Sequence, residues 1–288
     1  MITEISSASK VVTISPDGPT IMIGERINPT ARKKLGEALL AGDVEMVRRE
    51  AIAQVEAGAQ ILDVNVGYHG VDEPKMVKEA VKAVMETVDV PICLDSANPD
   101  VMEAALEVYK GKILLSSVTG EAHRMEQILP LVKRYGTAVV ALCMDDTGIP
   151  SDAQERLAIA RKIVARAEEL GIPREDILVD CACMTVSTDS SAAKVTLEVI
   201  RMVRQELGCN MTLGASNVSF GLPERRTINI AYLPMVLQAG VNCPIIDPTV
   251  PEIAKAIQAS DLLLGKDEYG MSYIRAYRAR QAALEAKG

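Results

Sequence analysis

The stretch Ala59-Gln60-Ile61-Leu62-Asp63-Val64-Asn65 lies between two helical segments, Asp43–Ala57 and Pro74–Thr87, with Gly58 closing the first of them. Its apolar residues run almost without a break, which is how a parallel strand covered on both faces reads, whereas a half-exposed strand alternates. The carboxylate and the amide interrupt the run where the strand ends. The same unit recurs along the chain. Thr20–Glu25, Val90–Leu94, Lys112–Ser116, Ala138–Cys143, Ile177–Cys181, Met211–Gly214 and Cys243–Ile246 read as short buried strands. Helical segments follow at Pro99–Tyr109, Arg124–Arg134, Ala153–Leu170, Ala192–Leu207, Ile228–Ala239 and Pro251–Leu264. Gly58, Gly111, Gly136, Gly171, Gly208, Gly240 and Gly265 stand where helices end, as glycine does at a left-handed C-cap.

Eight strands alternating with eight helices predict a single (β/α)8 barrel. An open doubly wound sheet alternates in the same way, but it calls for a glycine-rich phosphate loop after the first strand, and Gly24-Glu25-Arg26-Ile27-Asn28-Pro29 is not one. Ahead of the barrel, Val11–Ile14 and Thr20–Ile23 flank the turn-forming Pro16-Asp17-Gly18, which predicts a short hairpin under the barrel floor. The expected organisation is a hairpin or extension over residues 1–19 and one barrel over 20–288. Tyr269–Lys287 reads as a final helix. A single Phe, Phe220, and no Trp leave the core to Ala, Val, Ile, Leu and Met, which suits the layered branched side chains of a barrel interior.

A net charge of −8 with no dense Lys/Arg cluster argues against nucleic acid as a partner. The opening MITEISSASK has no apolar signal core, and no apolar run approaches the roughly 18–20 residues of a membrane span, so a cytoplasmic protein is expected. The six cysteines are expected to be reduced and buried. Cys181-Ala182-Cys183 has too short a spacing for a zinc knuckle, with only His69 and His123 to assist, and no bound metal is expected.

Closing the barrel gathers the polar strand ends into one mouth. Asp63, Asn65, Asp95, Ser116, Ser117, Asp180, Ser216 and Asn217 would meet there, with Arg26 and Arg225 as the evident cations. Such a mouth favours a polar heterocycle over a phosphorylated sugar. An ionised Asp accepts two parallel hydrogen bonds from a guanidine-like N–H pair, which the 2-amino-pyrimidinone edge of a pterin presents. Asp63 and Asp95 read equally as helix N-caps or loop acceptors. Asp180 sits inside an apolar run, where an unpaired charge is expensive. HExxH and GxSxG are both absent, so metalloprotease and serine-hydrolase chemistry lack their parts.

Five ordered motifs carry a family resemblance: Ile23-Gly24-Glu25-Arg26-Ile27-Asn28, Leu62-Asp63-Val64-Asn65-Val66-Gly67, Cys93-Leu94-Asp95-Ser96-Ala97-Asn98, Thr147-Gly148-Ile149-Pro150 and Gly214-Ala215-Ser216-Asn217-Val218-Ser219. From about residue 20 onward the chain is similar to methyltetrahydrofolate:corrinoid protein methyltransferases, within the pterin-binding, dihydropteroate synthase-like barrels. The resemblance implies that tetrahydrofolate or its 5-methyl form binds in the mouth. A methyl group then moves between its N5 and the cobalt of a corrinoid carried by a separate protein, in anaerobic one-carbon metabolism or demethylation. It further implies Asp95, Asp180, Ser116, Gly214, Ser216 and Asn217 as pterin contacts, with Asn217 nearest N5, and Glu25, Asn28, Asp63, Asn65 and Arg225 around them. Ser116 departs from the Asn usual in the family. The corrinoid-binding signature Asp-x-His-x-x-Gly is absent at both His69 and His123, so a partner protein must bring the corrinoid. A homodimer is also implied.

Two other readings stand beside this one. A dihydropteroate synthase would carry a Ser-Arg-Lys run where this chain has Ser216-Asn217-Val218. A non-catalytic folate-binding subunit of a methyl-transfer assembly would bind folate without exchange.

Overall fold

A computed structural model describes residues 1–285. Strands β1 (Thr3–Ser6) and β2 (Val11–Ile14) pair antiparallel. The next eight strands are β3 (Ile23–Ile27), β4 (Ile61–Val64), β5 (Ile92–Asp95), β6 (Leu114–Thr119), β7 (Ala138–Leu142), β8 (Ile177–Asp180), β9 (Asn210–Gly214) and β10 (Cys243–Ile246), and they form a closed parallel barrel. The seam is the pairing of β10 with β3, Ile245 opposite Ile23. Around the barrel run α1 (Lys33–Leu40), α2 (Glu45–Glu56), α3 (Glu73–Thr87), α4 (Pro99–Val108), α5 (Ala122–Tyr135), α6 (Ala153–Glu169), α7 (Ala192–Glu206), α8 (Arg225–Ala239), α9 (Pro251–Leu263) and α10 (Met271–Glu285). The expected barrel is therefore the observed one. None of the described helices is long and apolar enough to cross a membrane.

Two apolar layers hold the strands. The larger lies between the barrel and its helices and takes Leu62, Val64, Leu94, Leu115, Val139 and Val179 from the strands. The smaller lies inside the barrel, where Ile23, Ile61, Cys93, Leu114, Ala138, Val140, Leu178 and Cys243 meet Ile5, Val12 and Ile14 of the hairpin. Successive strand residues face opposite sides, so the continuous apolar runs are two interleaved faces, both buried.

The hairpin plugs the floor of the barrel, as expected, but with different strands. Ser7 closes its turn by accepting from the amides of Ser9 and Lys10, so Thr3–Ser6 pairs with Val11–Ile14. The turn at Pro16-Asp17-Gly18 forms, with Gly18 N–H donating to the Ser15 carbonyl. It leads into the barrel instead of joining two hairpin strands. Thr20 is unavailable for a ladder because its amide and hydroxyl both donate to the buried Asp261, at 2.9 and 2.6 Å. Inside the floor, Asn210 donates to the Thr3 hydroxyl and the Ile14 carbonyl, which ties β9 to the hairpin.

Helix α1 was not anticipated. It spans only two turns and carries Gly36 in its middle, and isolated helices of that length are marginal. Tertiary packing explains the glycine: a Cβ there would collide with the Tyr68 ring. The final segment is a short 3-10 turn, Glu268–Gly270, followed by α10; Ala286 and Lys287 of the expected helix lie outside the described residues.

Candidate active site at the barrel mouth

The alternation that places an apolar floor inside the barrel also builds its mouth. Two residues beyond Ile23, Ile61, Cys93, Leu114, Val140, Leu178 and Cys243 come Glu25, Asp63, Asp95, Ser116, Leu142, Asp180 and Ile245, on the same inward face. Together with Asp247 they line a cavity of roughly 640 Å³, with Asn28, Gly214, Ser216, Asn217, Arg225 and Ile149 at its walls. Glu25, Asn28, Asp63, Asp95, Ser116, Asp180, Gly214, Ser216, Asn217 and Arg225 are thus brought together in one space. Asn65 is not on the cavity wall. Its amide donates to Asp95 Oδ2 at 2.9 Å while its own oxygen accepts from Gly67 N–H, so it holds Asp95 from behind.

Each carboxylate has a distinct setting. Asp95 has Asn65 and the more distant Asn28 amide (3.5 Å) on the same oxygen, Oδ2, which leaves Oδ1 toward the cavity. Asp180 accepts from the Ala182 amide at 2.8 Å through Oδ1. Glu25 accepts from the Ser216 hydroxyl at 2.7 Å. Asp63 is buried, and its Oδ1 has no hydrogen-bond partner. Neither Asp63 nor Asp95 caps a helix: α3, α4 and α6 are capped by Asp72, Asn98 and Asp152. The N-cap alternative is thereby removed, because the two aspartates still belong to their strands or strand ends and point inward.

Asn217 lies in a 3-10 turn, Ala215–Ser219, directly after β9. Its side chain is exposed to the cavity and has no hydrogen bond within the described protein. A Cβ on Gly214 would sit 2.8 Å from its Nδ2, so glycine at that position keeps the amide where it is. The turn itself is held by Arg225, which donates to the Ser216 carbonyl and the Ser219 hydroxyl and lies over the Phe220 ring.

The mouth holds more cations than the sequence suggests. Arg32 joins Arg26 and Arg225 on its wall. Arg26 is paired with Glu50 and Asp247 at 2.7 and 2.9 Å, and Arg32 with Glu50, so their charges are largely satisfied within the protein. Arg32 was missed because α1 was missed. Asp247 was missed as well, although its spacing of two from Ile245 and four from Cys243 is a readable signal.

Burial dominates the electrostatics. It pushes Glu25 up to about 7 and Asp180 up to about 6, against the hydrogen bonds from Ser216 and from the Ala182 and Gly214 amides. Asp95 is raised by burial, and Asp63 well above its ordinary value by burial and by the charge of Asp95. These groups bind protons more tightly folded than unfolded, so stability falls as pH rises through the interval between the two values. For Glu25 and Asp180 that interval runs from about 4 to about 7. The ligand-free protein is therefore expected to melt at a lower temperature at pH 8 than at pH 5. The Glu25→Gln, Asp180→Asn double variant should flatten that slope in differential scanning calorimetry; a slope equal to wild type would contradict the assignment.

The pterin binding enzyme family matches residues 24–247, a span that contains every cavity residue named above. The chain belongs to the pterin-binding enzymes. Within reach of this family, a methylcorrinoid:tetrahydrofolate methyltransferase of Eubacterium limosum is 32% identical over 266 residues, covering 90% of this chain and 96% of that protein. A methionine synthase of Mycobacterium tuberculosis is 30% identical over 84% of this chain, which corresponds to 21% of that longer protein. Among solved structures, the Xanthomonas albilineans dihydropteroate synthase with 4-aminobenzoic acid superposes with a TM-score of 0.67 at 19% identity, covering 91% of this chain and 98% of that one. That last likeness is one of fold, the shared barrel of the pterin-binding enzymes.

Proposed function

We propose that this pterin-binding enzyme transfers a methyl group between N5 of (methyl)tetrahydrofolate and the cobalt of a corrinoid carried by a separate protein. The observation that carries the reading is the unpaired Asn217 amide in the same cavity as the open carboxylates of Asp95 and Asp180. The two aspartates accept from the 2-amino-pyrimidinone edge and so fix the pterin ring. Ser116 adds one hydroxyl to the wall. Gly214 and Ser216 shape the turn, while Glu25, Asn28, Asp63, Asn65 and Arg225 support the wall.

With N5 of methyltetrahydrofolate protonated beforehand, the electron pair of the partner's cobalt(I) would take the methyl carbon as the C–N5 bond breaks toward nitrogen, leaving methyl-cobalt(III) on the partner and neutral tetrahydrofolate whose N5–H keeps that proton. Positive charge on N5 makes the amine a better leaving group. An amide oxygen placed to accept from N5–H⁺ stabilises the protonated form from which the methyl group can leave, and does so without titrating itself. The same contact serves the reverse transfer.

A dihydropteroate synthase must hold a pyrophosphate, and Arg26 and Arg32, committed to Glu50 and Asp247, are poorly placed to supply free charge for it. The proposed setting is cytoplasmic, with a homodimer as the working assembly; sedimentation as a monomer would remove the dimer. The deciding experiment mixes the protein with a methylated corrinoid protein and tetrahydrofolate and follows the cobalt absorption spectrum. Methyl loss from cobalt with formation of 5-methyltetrahydrofolate is expected. Saturable folate binding without exchange in either direction would favour the non-catalytic reading instead.

A further inference from the structure

Arg156 is 2% exposed, the largest fully buried side chain among the described residues, and it makes no salt bridge with any of them. Its guanidinium is held by neutral acceptors alone. Nε donates to the Pro150 carbonyl at 2.6 Å, and Nη1 to the carbonyls of Ala182 and Cys181 at 2.7 and 3.2 Å and to the Thr196 hydroxyl at 3.4 Å. A buried guanidinium without a carboxylate partner is uncommon enough to need a reason. The reason is visible one peptide away. Cys181 and Ala182 directly follow Asp180, and the Ala182 amide that donates to Asp180 Oδ1 belongs to the residue whose carbonyl Arg156 grips. Ala182 has φ +58°, in the left-handed region that alanine rarely enters, so the segment needs an outside hold to keep this shape.

We propose that Arg156 is a positioning residue for Asp180: it clamps the Cys181–Ala182 carbonyls so that the Ala182 amide turns onto the carboxylate, and its unpaired charge keeps that carboxylate ionised for a pterin. The second half rests on the pterin reading above. Asp180 is faced by Asp95 from β5, Arg156 from α6, and Cys181 and Cys183 beyond β8, with Cys143 beyond β7 against Cys181 and Tyr232 from α8 against Cys183. The hydrogen bond with Cys143, together with burial, holds the Cys181 thiol protonated, and burial does so for the Cys183 thiol and the Tyr232 phenol, so Arg156 is the cation in that group and Asp95 the competing anion.

The test follows the Asp180 carboxyl carbon by NMR titration of the full chain, assigned with Asp180→Asn, with Asp95 read in parallel. In Arg156→Met the Asp180 midpoint should rise by about one unit or more, and affinity for 5-methyltetrahydrofolate should fall at least about twofold at pH 7 and recover as the pH is raised. An unchanged midpoint in a folded Arg156→Met overturns the proposal. Should that variant fail to fold, Arg156→Lys decides: it keeps the charge and loses the fork, so the Ala182 amide should exchange faster, the Asp180 midpoint should rise as that hydrogen bond weakens, and folate should bind more weakly. Wild-type exchange and affinity in Arg156→Lys would equally overturn it. A wild-type protein that binds no folate at all defeats the pterin reading alone, since the midpoint shift is measured without ligand.

Discussion

Asn217→Ala is expected to slow methyl transfer by about two orders of magnitude while 5-methyltetrahydrofolate binds nearly as well as to wild type. Removing one preorganised hydrogen bond to developing charge typically costs about 2.7–4 kcal/mol of transition-state stabilisation, which is roughly a hundredfold or more in rate. The split between rate and affinity follows from geometry. The Asn217 side chain is exposed to the cavity without a protein partner, so its removal leaves no orphaned group behind and does not disturb the Arg225-held turn. Asn217→Asp is the sharper control. It keeps the oxygen and adds a charge, so it should retain more transfer than the alanine variant once the pterin is bound. Single-turnover kinetics with a reduced corrinoid protein separate the step from binding, and an alanine variant with wild-type turnover would take Asn217 out of the reaction.

For Asp180 the expected loss is in binding. Asp180→Asn preserves shape but replaces an acceptor with an amide whose own N–H opposes the N–H pair of the pterin. Charge-assisted hydrogen bonds contribute about 1.5–3 kcal/mol each, so a loss of affinity on the order of a hundredfold is expected by titration calorimetry. The pH dependence has a definite sign. The ligand selects the ionised carboxylate, and in the free protein that group titrates at about 6, so wild-type affinity should rise with pH through this value and level off above about 7. The asparagine variant should lose that rise. A wild-type dissociation constant in Asp180→Asn would contradict the anchor role.

The fold was readable because the strands are short and apolar and most follow a helix that ends at a glycine with positive φ, as Gly136 does at the end of α5 and Gly171 after α6. Boundaries moved by a residue or a few. Val90 and Pro91 read as strand but precede β5, whereas β6 runs on to Thr119 through a register shift between Ser116 and Val118. The hairpin partner could not be read from a turn tripeptide, because the competing claim on Thr20 comes from Asp261, 241 residues away.

At the mouth, residues on strand ends were legible from period and position, Asp63, Asp95 and Asp180 among them. What escaped depended on contacts between distant segments. Arg32 stands just before a helix, α1, too short to announce itself, and Arg156 looks in sequence like an ordinary charge on an amphipathic helix. Only the packed structure brings that charge beneath the segment following Asp180.

The seam between β10 and β3 has a consequence for how the chain is made. Ile23 finds its partner Ile245 only after 222 residues of separation, and Thr20 waits longer still for Asp261. During synthesis, at roughly 5–20 residues per second, β3 therefore spends on the order of ten seconds or more as a bare sheet edge, open to pairing with other chains. Closing the cylinder waits for β10, and the hairpin already seated beneath it gives the late strands a floor on which to register.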